Sequence, residues 1–113
     1  MITFAADTVW HDLIPGIQIC TLVHGDTTLM AQFRLEAGRT LPMHGHPHEQ
    51  TGYLLSGRMT MSIGGVEHNF GPGDSWAIAG GVVHGALIHE TCLAIEVFSP
   101  VREDYLPYLS AGK

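Results

Sequence analysis

Between Gly38 and Gly57 the chain reads G-R-T-L-P-M-H-G-H-P-H-E-Q-T-G-Y-L-L-S-G, and His44, His46, His48 and Gln50 fall on alternate positions within it. On an extended strand alternate side chains leave the same face, so these four point one way and Gly45, Pro47 and Glu49 the other. Histidines at i and i+2 on a strand have backbones roughly 6–7 Å apart, and two imidazoles at that spacing reach a single ion between them. A helix needs its ligands at i and i+4. Gly45 and Pro47 lie inside that window, where an interior proline costs about 3 kcal/mol. The segment therefore reads as strand, with one face able to hold a metal.

Elsewhere, short runs rich in Ile, Val, Leu, Thr and Met predict strands at about 17–24, 28–36, 40–47, 50–56, 58–64, 66–70, 75–79, 82–89 and 91–98. The turns between them are supplied by G-D-T-T (25–28), S-G-R (56–58), G-G (64–65), G-P-G-D (71–74) and G-G (80–81), whose residues tolerate positive φ or pre-set a turn. Upstream, Ile2–Phe4 reads as a first strand, and Asp7 as the cap of one helical turn carrying Trp10 and Leu13 until Pro15 and Gly16 end it. After Pro100 the apolar tail V-R-E-D-Y-L-P-Y-L-S predicts a short helical turn packed on the barrel or on a partner subunit. A single small sheet would leave edges open to aggregation, so the strands are expected to close into an all-β sandwich or barrel forming one domain over residues 1–113.

Composition narrows the partners. The net charge is −6, and Arg34, Arg39, Arg58, Arg102 and Lys113 are the whole basic complement, so no basic stripe tracks a phosphate backbone and nucleic acid is not expected. Cys20 and Cys92 form no C-x-x-C pair and read as reduced, packed thiols. The amino terminus M-I-T-F-A-A-D-T-V-W lacks the basic flank and apolar run of a signal peptide, and no stretch approaches the ~18 apolar residues of a membrane span. A cytoplasmic location without membrane contact is the expectation. Met43, Met59, Met61 and Trp76 read as fillers of the barrel or its interface, and His11, His24, His68 and His89 as surface or packing residues.

The first stretch resembles the first motif of the cupin family: a glycine, five residues, His-x-His, three or four residues, an acid, six residues and a glycine. Gly38, His44, His46 and Gly57 fall in register, and Gln50 stands where the family has its acid. The family's second motif is matched by Gly73, Gly81 and His84, with Ala79 in place of the usual proline and Ile88 in place of the usual asparagine. The resemblance implies a cupin-type double-stranded β-helix (jelly-roll) barrel with one divalent transition metal inside, held by His44, His46, Gln50 and His84. Glu49 is the charged alternative to Gln50, but its parity points it outward and only position 50 keeps the count to Gly57. Three imidazoles and an amide leave the full +2 of the ion uncancelled, which favours an anionic guest. Such donors suit Ni, Zn, Mn, Fe, Co or Cu without choosing among them.

The run V-F-S-P-V-R-E-D-Y-L, together with H-G-H-P-H-E-Q and D-T-V-W, resembles more closely the pectin-degradation cupins that linearise unsaturated monouronates. That resemblance implies active-site roles on the segment 93–106 for Glu96, where the family has Asp, for Phe98 and, beyond the turn at Pro100 that returns the chain toward the barrel mouth, for Arg102. Arg102 and Glu96 would be catalytic, Phe98 and Arg102 would contact the substrate, and His48, on the metal side by parity, is a further contact. Taken singly, each has a plainer reading: Arg102 paired with Glu103 or Asp104, Phe98 in the core, Glu96 bonded to a backbone amide. The function implied is ring opening and tautomerisation of a 4,5-unsaturated monouronate, a small anionic sugar acid, to a linear keto acid. A cupin dioxygenase, separable by oxygen consumption, and a sugar-acid binding module that returns its ligand unchanged are the rivals. A homodimer is expected, since the apolar terminal segments need cover.

Overall fold

The computed structural model describes residues 1–110 and is built almost entirely from strands. In chain order these are β1 (His11–Ile14), β2 (Ile17–His24), β3 (Leu29–Leu35), β4 (Thr40–His44), β5 (Glu49–Ile63), β6 (Val66–Phe70), β7 (Ser75–Ile78) and β8 (His84–Ser99). Short 3-10 turns at Ala5–Asp7 and Glu103–Tyr108 flank them. The ladder runs β1-β2-β3-β8-β5-β6, with β4 added to β8 and β7 to β5, every pairing antiparallel.

Two long strands roll this ladder into a jelly-roll barrel. β5 and β8 pair along almost their whole lengths, but their outer edges change partner midway. The carboxyl half of β8 lies against β3 and its amino half against β4. β5 likewise passes from β7 to β6. The expected breaks at 56–58 and near residue 90 are therefore bends within continuous strands. Gly57 sits at φ +93°, and a Cβ there would collide with the Thr91 carbonyl oxygen. Register shifts on both sides of it turn the strand without releasing the ladder, as bulges do where a sheet must bend.

The lead-in departs from expectation. Residues 2–4 form no strand, and Trp10–Leu13 form no helical turn. Instead His11–Ile14 is extended and alternates partly buried with exposed residues. Gly16, at φ +79°, folds this strand back on β2 as a hairpin. The period of two outweighed the capping signal of Asp7, which lies inside the 3-10 turn rather than before it.

Between the layers lie Ile17, Ile19, Leu29, Phe33, Leu54, Met59, Met61, Trp76, Ile78, Ile88 and Phe98. Met43 is the exception among the expected fillers, being 53 % exposed with its sulfur against Gly85. Cys20 and Cys92 are both buried and free. The tail forms its expected helical turn. It buries Tyr105 against Phe33 and Phe98, and the Thr21 hydroxyl donates to the Tyr105 carbonyl at 2.7 Å. Among the described residues no helix is long and apolar enough to cross a membrane.

Candidate metal centre

β4 ends at His44, and residues 45–48 leave the ladder before β5 begins, yet the alternation persists through the gap. His44, His46 and His48 are half-buried and Gln50 is buried, while Gly45, Pro47 and Glu49 are exposed. The loop is anchored by the Gly81 N–H, which donates to the His46 carbonyl at 2.8 Å. Gly80 lies so close to the Pro47 carbonyl that no side chain fits there. The second glycine-bearing motif thus positions the first. His84, at the start of β8, stands directly across the ladder from His44.

One ring nitrogen from each of His44, His46 and His84 lies within 4.8 Å of the other two. Each Nδ1 is in hydrogen-bond contact with a backbone carbonyl: Pro42 for His44 at 2.8 Å, His48 for His46 at 2.9 Å and Val82 for His84 at 2.9 Å. A carbonyl only accepts, so Nδ1 carries the proton in all three rings and Nε2 keeps its lone pair for an ion. Burial, with the charge of Arg102 adding to it, holds His46 and His84 below the ordinary imidazole range. Both are therefore neutral near pH 7, the form that binds a metal.

The residues fit a cation on a further count. His46 Nε2 and Gln50 Oε1 are buried without a hydrogen-bond partner, an arrangement that costs about 1–3 kcal/mol per group. An ion between them satisfies both. Nitrogens ligated at about 2.0–2.1 Å in a tetrahedral array are roughly 3.4 Å apart, so small ring movements close the cluster.

Beside the histidines lies a cavity of about 70 Å³, with His44, Gln50, His84, Glu96, Phe98 and Arg102 in its walls. The Glu96 Oε1 accepts from both Gln50 Nε2 and Trp76 Nε1, each at 2.8 Å. Its partners are thus side chains, not a backbone amide. Burial raises the Glu96 pKa, against the opposing pull of the Trp76 and Gln50 hydrogen bonds and of Arg102. Phe98 is fully buried, its ring edge-on to His46 at 6.0 Å between centroids. Arg102 lines the cavity, and it also forks onto Asp104 through Nε and Nη2 at 3.1–3.3 Å. Its guanidinium carbon lies 4.0 Å from the Tyr105 ring centre and 5.1 Å from that of Phe98.

His48 lies apart from the three-histidine cluster and outside the cavity wall. It is the carbonyl of His48 that reaches His46, while the two rings stand 5.7 Å apart. Trp76 and Asp104 join the site without having been singled out for it. The signal for Trp76 was available, because a buried indole needs a partner for its N–H.

Three imidazoles converging inside a jelly-roll barrel define a fold able to carry one metal ion. The chain belongs to the cupin domain family, whose model matches residues 31–98. Its structure is similar to that of KdgF from a Halomonas species, with a TM-score of 0.88 and 29% identity over 94% of this chain and 98% of the other. An RmlC-like cupin from Shewanella frigidimarina superposes with a TM-score of 0.88 at 27% identity, covering 93% of this chain and 95% of the other. The DMSP lyase DddQ from Ruegeria pomeroyi shares the fold alone, with a TM-score of 0.73 at 20% identity over 83% of this chain and 57% of the other. No curated protein matches the sequence.

Proposed function

We propose that the chain is a metal-dependent enzyme that opens the ring of 4,5-unsaturated monouronates and delivers the linear keto acid. The observation that carries this reading is the meeting, at one cavity, of a cluster of three imidazoles, a guanidinium and a carboxyl group. Likeness to KdgF over nearly the whole chain supports it. His44, His46, His84 and the Gln50 Oε1 would hold a divalent ion, which would supply Lewis-acid chemistry toward a substrate oxygen.

The rest is the work of side chains. Arg102 has its Nε and one Nη engaged by Asp104, leaving its outer edge to receive the substrate carboxylate. The anomeric hydroxyl loses a proton as the ring C–O bond breaks, and the alkene carbon gains one as enol becomes ketone. Atoms balance with no oxidant. Glu96 has Oε1 taken by two donors, and Oε2 is the oxygen that moves the proton. Phe98 backs the pocket. The cavity is small for a sugar ring, so the ring lies across its mouth with its acidic end inward. Cytoplasmic location and pairing into a homodimer belong to the same proposal.

The test is the alkene absorbance of an unsaturated monouronate mixed with metal-loaded protein. A decay well above the spontaneous rate, with the linear keto acid as product and no oxygen consumed, is the expected result. Decay at the spontaneous rate refutes the assignment.

A further inference from the structure

Gln50 is symmetrical in shape but not in chemistry, and which end of its amide faces the histidines decides whether it can ligate. An N–H facing a cation repels it; the carbonyl oxygen binds it. The choice is made on the opposite side of the amide. The Trp76 indole is a donor only, and it donates to the same Glu96 Oε1 that faces Gln50. That oxygen accepts from both side chains, and the Gln50 atom 2.8 Å from it is the NH2 group. Gln50 Oε1 is consequently turned the other way, buried and without a partner.

Trp76 reaches Glu96 because of a glycine. β7 pairs with β5 so that Trp76 stands opposite Gly52, and a Cβ on Gly52 would occupy the space of the indole ring. The indole lies on the bare strand with its N–H at 2.8 Å from Glu96. Neither Gly52 nor Trp76 is among the residues that define the two metal motifs.

We infer that Trp76 is a positioning residue for the metal centre: acting through Glu96, it locks the Gln50 amide with its oxygen toward His46. This rests on the proposed ligand set, and it makes metal affinity depend on an indole N–H that never touches the ion. Outer partners of metal ligands are worth about 10–100-fold in affinity when removed.

The experiment is a double-mutant cycle read by metal affinity rather than activity. Zn²⁺ affinity is measured by chelator competition for the wild type, Trp76→Phe, Gln50→Ala and the double variant. The expected result is a loss of about tenfold or more for Trp76→Phe alone and no further loss in the Gln50→Ala background. The Co²⁺-loaded Trp76→Phe protein should show d–d bands shifted toward those of Gln50→Ala. An equal loss in both backgrounds, or none in either, overturns the inference. Should Trp76→Phe not fold, Gly52→Ala, whose added methyl displaces the indole and leaves Glu96 and Gln50 in place, takes its place in the same cycle, and the same two outcomes support or overturn the inference. A wild type that binds no metal would instead sink the ligand set itself, so the two failures are distinguishable.

Discussion

His44 and His84 face each other across the β4–β8 ladder with their ring centres 4.3 Å apart. That pairing joins the two halves of the barrel motif, since neither strand alone brings three imidazoles together. His84 is 3 % exposed, so its loss cannot be replaced by a neighbouring side chain. Replacing His84 with Ala should lower metal affinity by more than the roughly 10–100-fold of an outer-sphere change. It should also abolish the rise in melting temperature that added metal gives the wild type. A metal-dependent rise that survives in His84→Ala would contradict the assignment.

Arg102 is held on three sides, by Asp104 and by the Tyr105 and Phe98 rings. A lysine keeps the charge but offers no planar fork, so Arg102→Lys is not conservative here. The expected outcome is a KM for the uronate raised about tenfold or more, equivalent to the roughly 1.4 kcal/mol of a weakened charged contact, with metal affinity unchanged. Steady-state kinetics on the metal-saturated variant decide it. An unaltered KM would remove Arg102 from substrate recognition.

Tyr105 gives a pH dependence independent of the metal ligands. Burial first, opposed by the charge of Arg102, pushes its phenol up to about 12, against about 10 in an unfolded chain. Between those values the folded state keeps a proton that the unfolded state loses, so stability falls as pH rises. The loss attributable to this group is up to about 3 kcal/mol. Urea unfolding at pH 9 and at pH 11.5 should show a clear drop for the wild type and a smaller one for Tyr105→Phe. Identical drops would assign the alkaline sensitivity elsewhere.

Gly52→Ala tests the seat of the indole directly. The added methyl meets the Trp76 ring, and overpacking of this kind costs about 1–3 kcal/mol. The chemical-denaturation midpoint should fall, and the indole fluorescence of Trp76 should change. A midpoint equal to that of the wild type would show that the indole has room to spare.

Much of this architecture was legible in the sequence, and the parts that were not have separate physical causes. Alternation of side chains survives where hydrogen-bonded pairing does not, so His44, His46 and Gln50 could be placed on one face although residues 45–48 leave the ladder. Glycine signals were ambiguous. Gly57 marks a bend inside one strand rather than a turn between two, because bulge and turn use the same residue. The strand at His11–Ile14 was hidden by its brevity and by Asp7, which lies inside a 3-10 turn rather than at the start of a helix. Trp76 and Asp104 act through contacts between elements remote in the chain, and no local pattern encodes them. Met43 obeys the parity rule that puts Gly45 outside, and its hydrophobicity alone misplaced it.

The proposed chemistry depends on one ion held by three imidazoles and an amide oxygen. X-ray absorption of the Zn²⁺-loaded protein, taken with metal stoichiometry, reads that arrangement directly. The predicted result is one ion per chain, three imidazole nitrogens at about 2.0–2.1 Å and oxygen completing the shell. Fewer than three imidazoles per ion, or no stoichiometric binding, would contradict it.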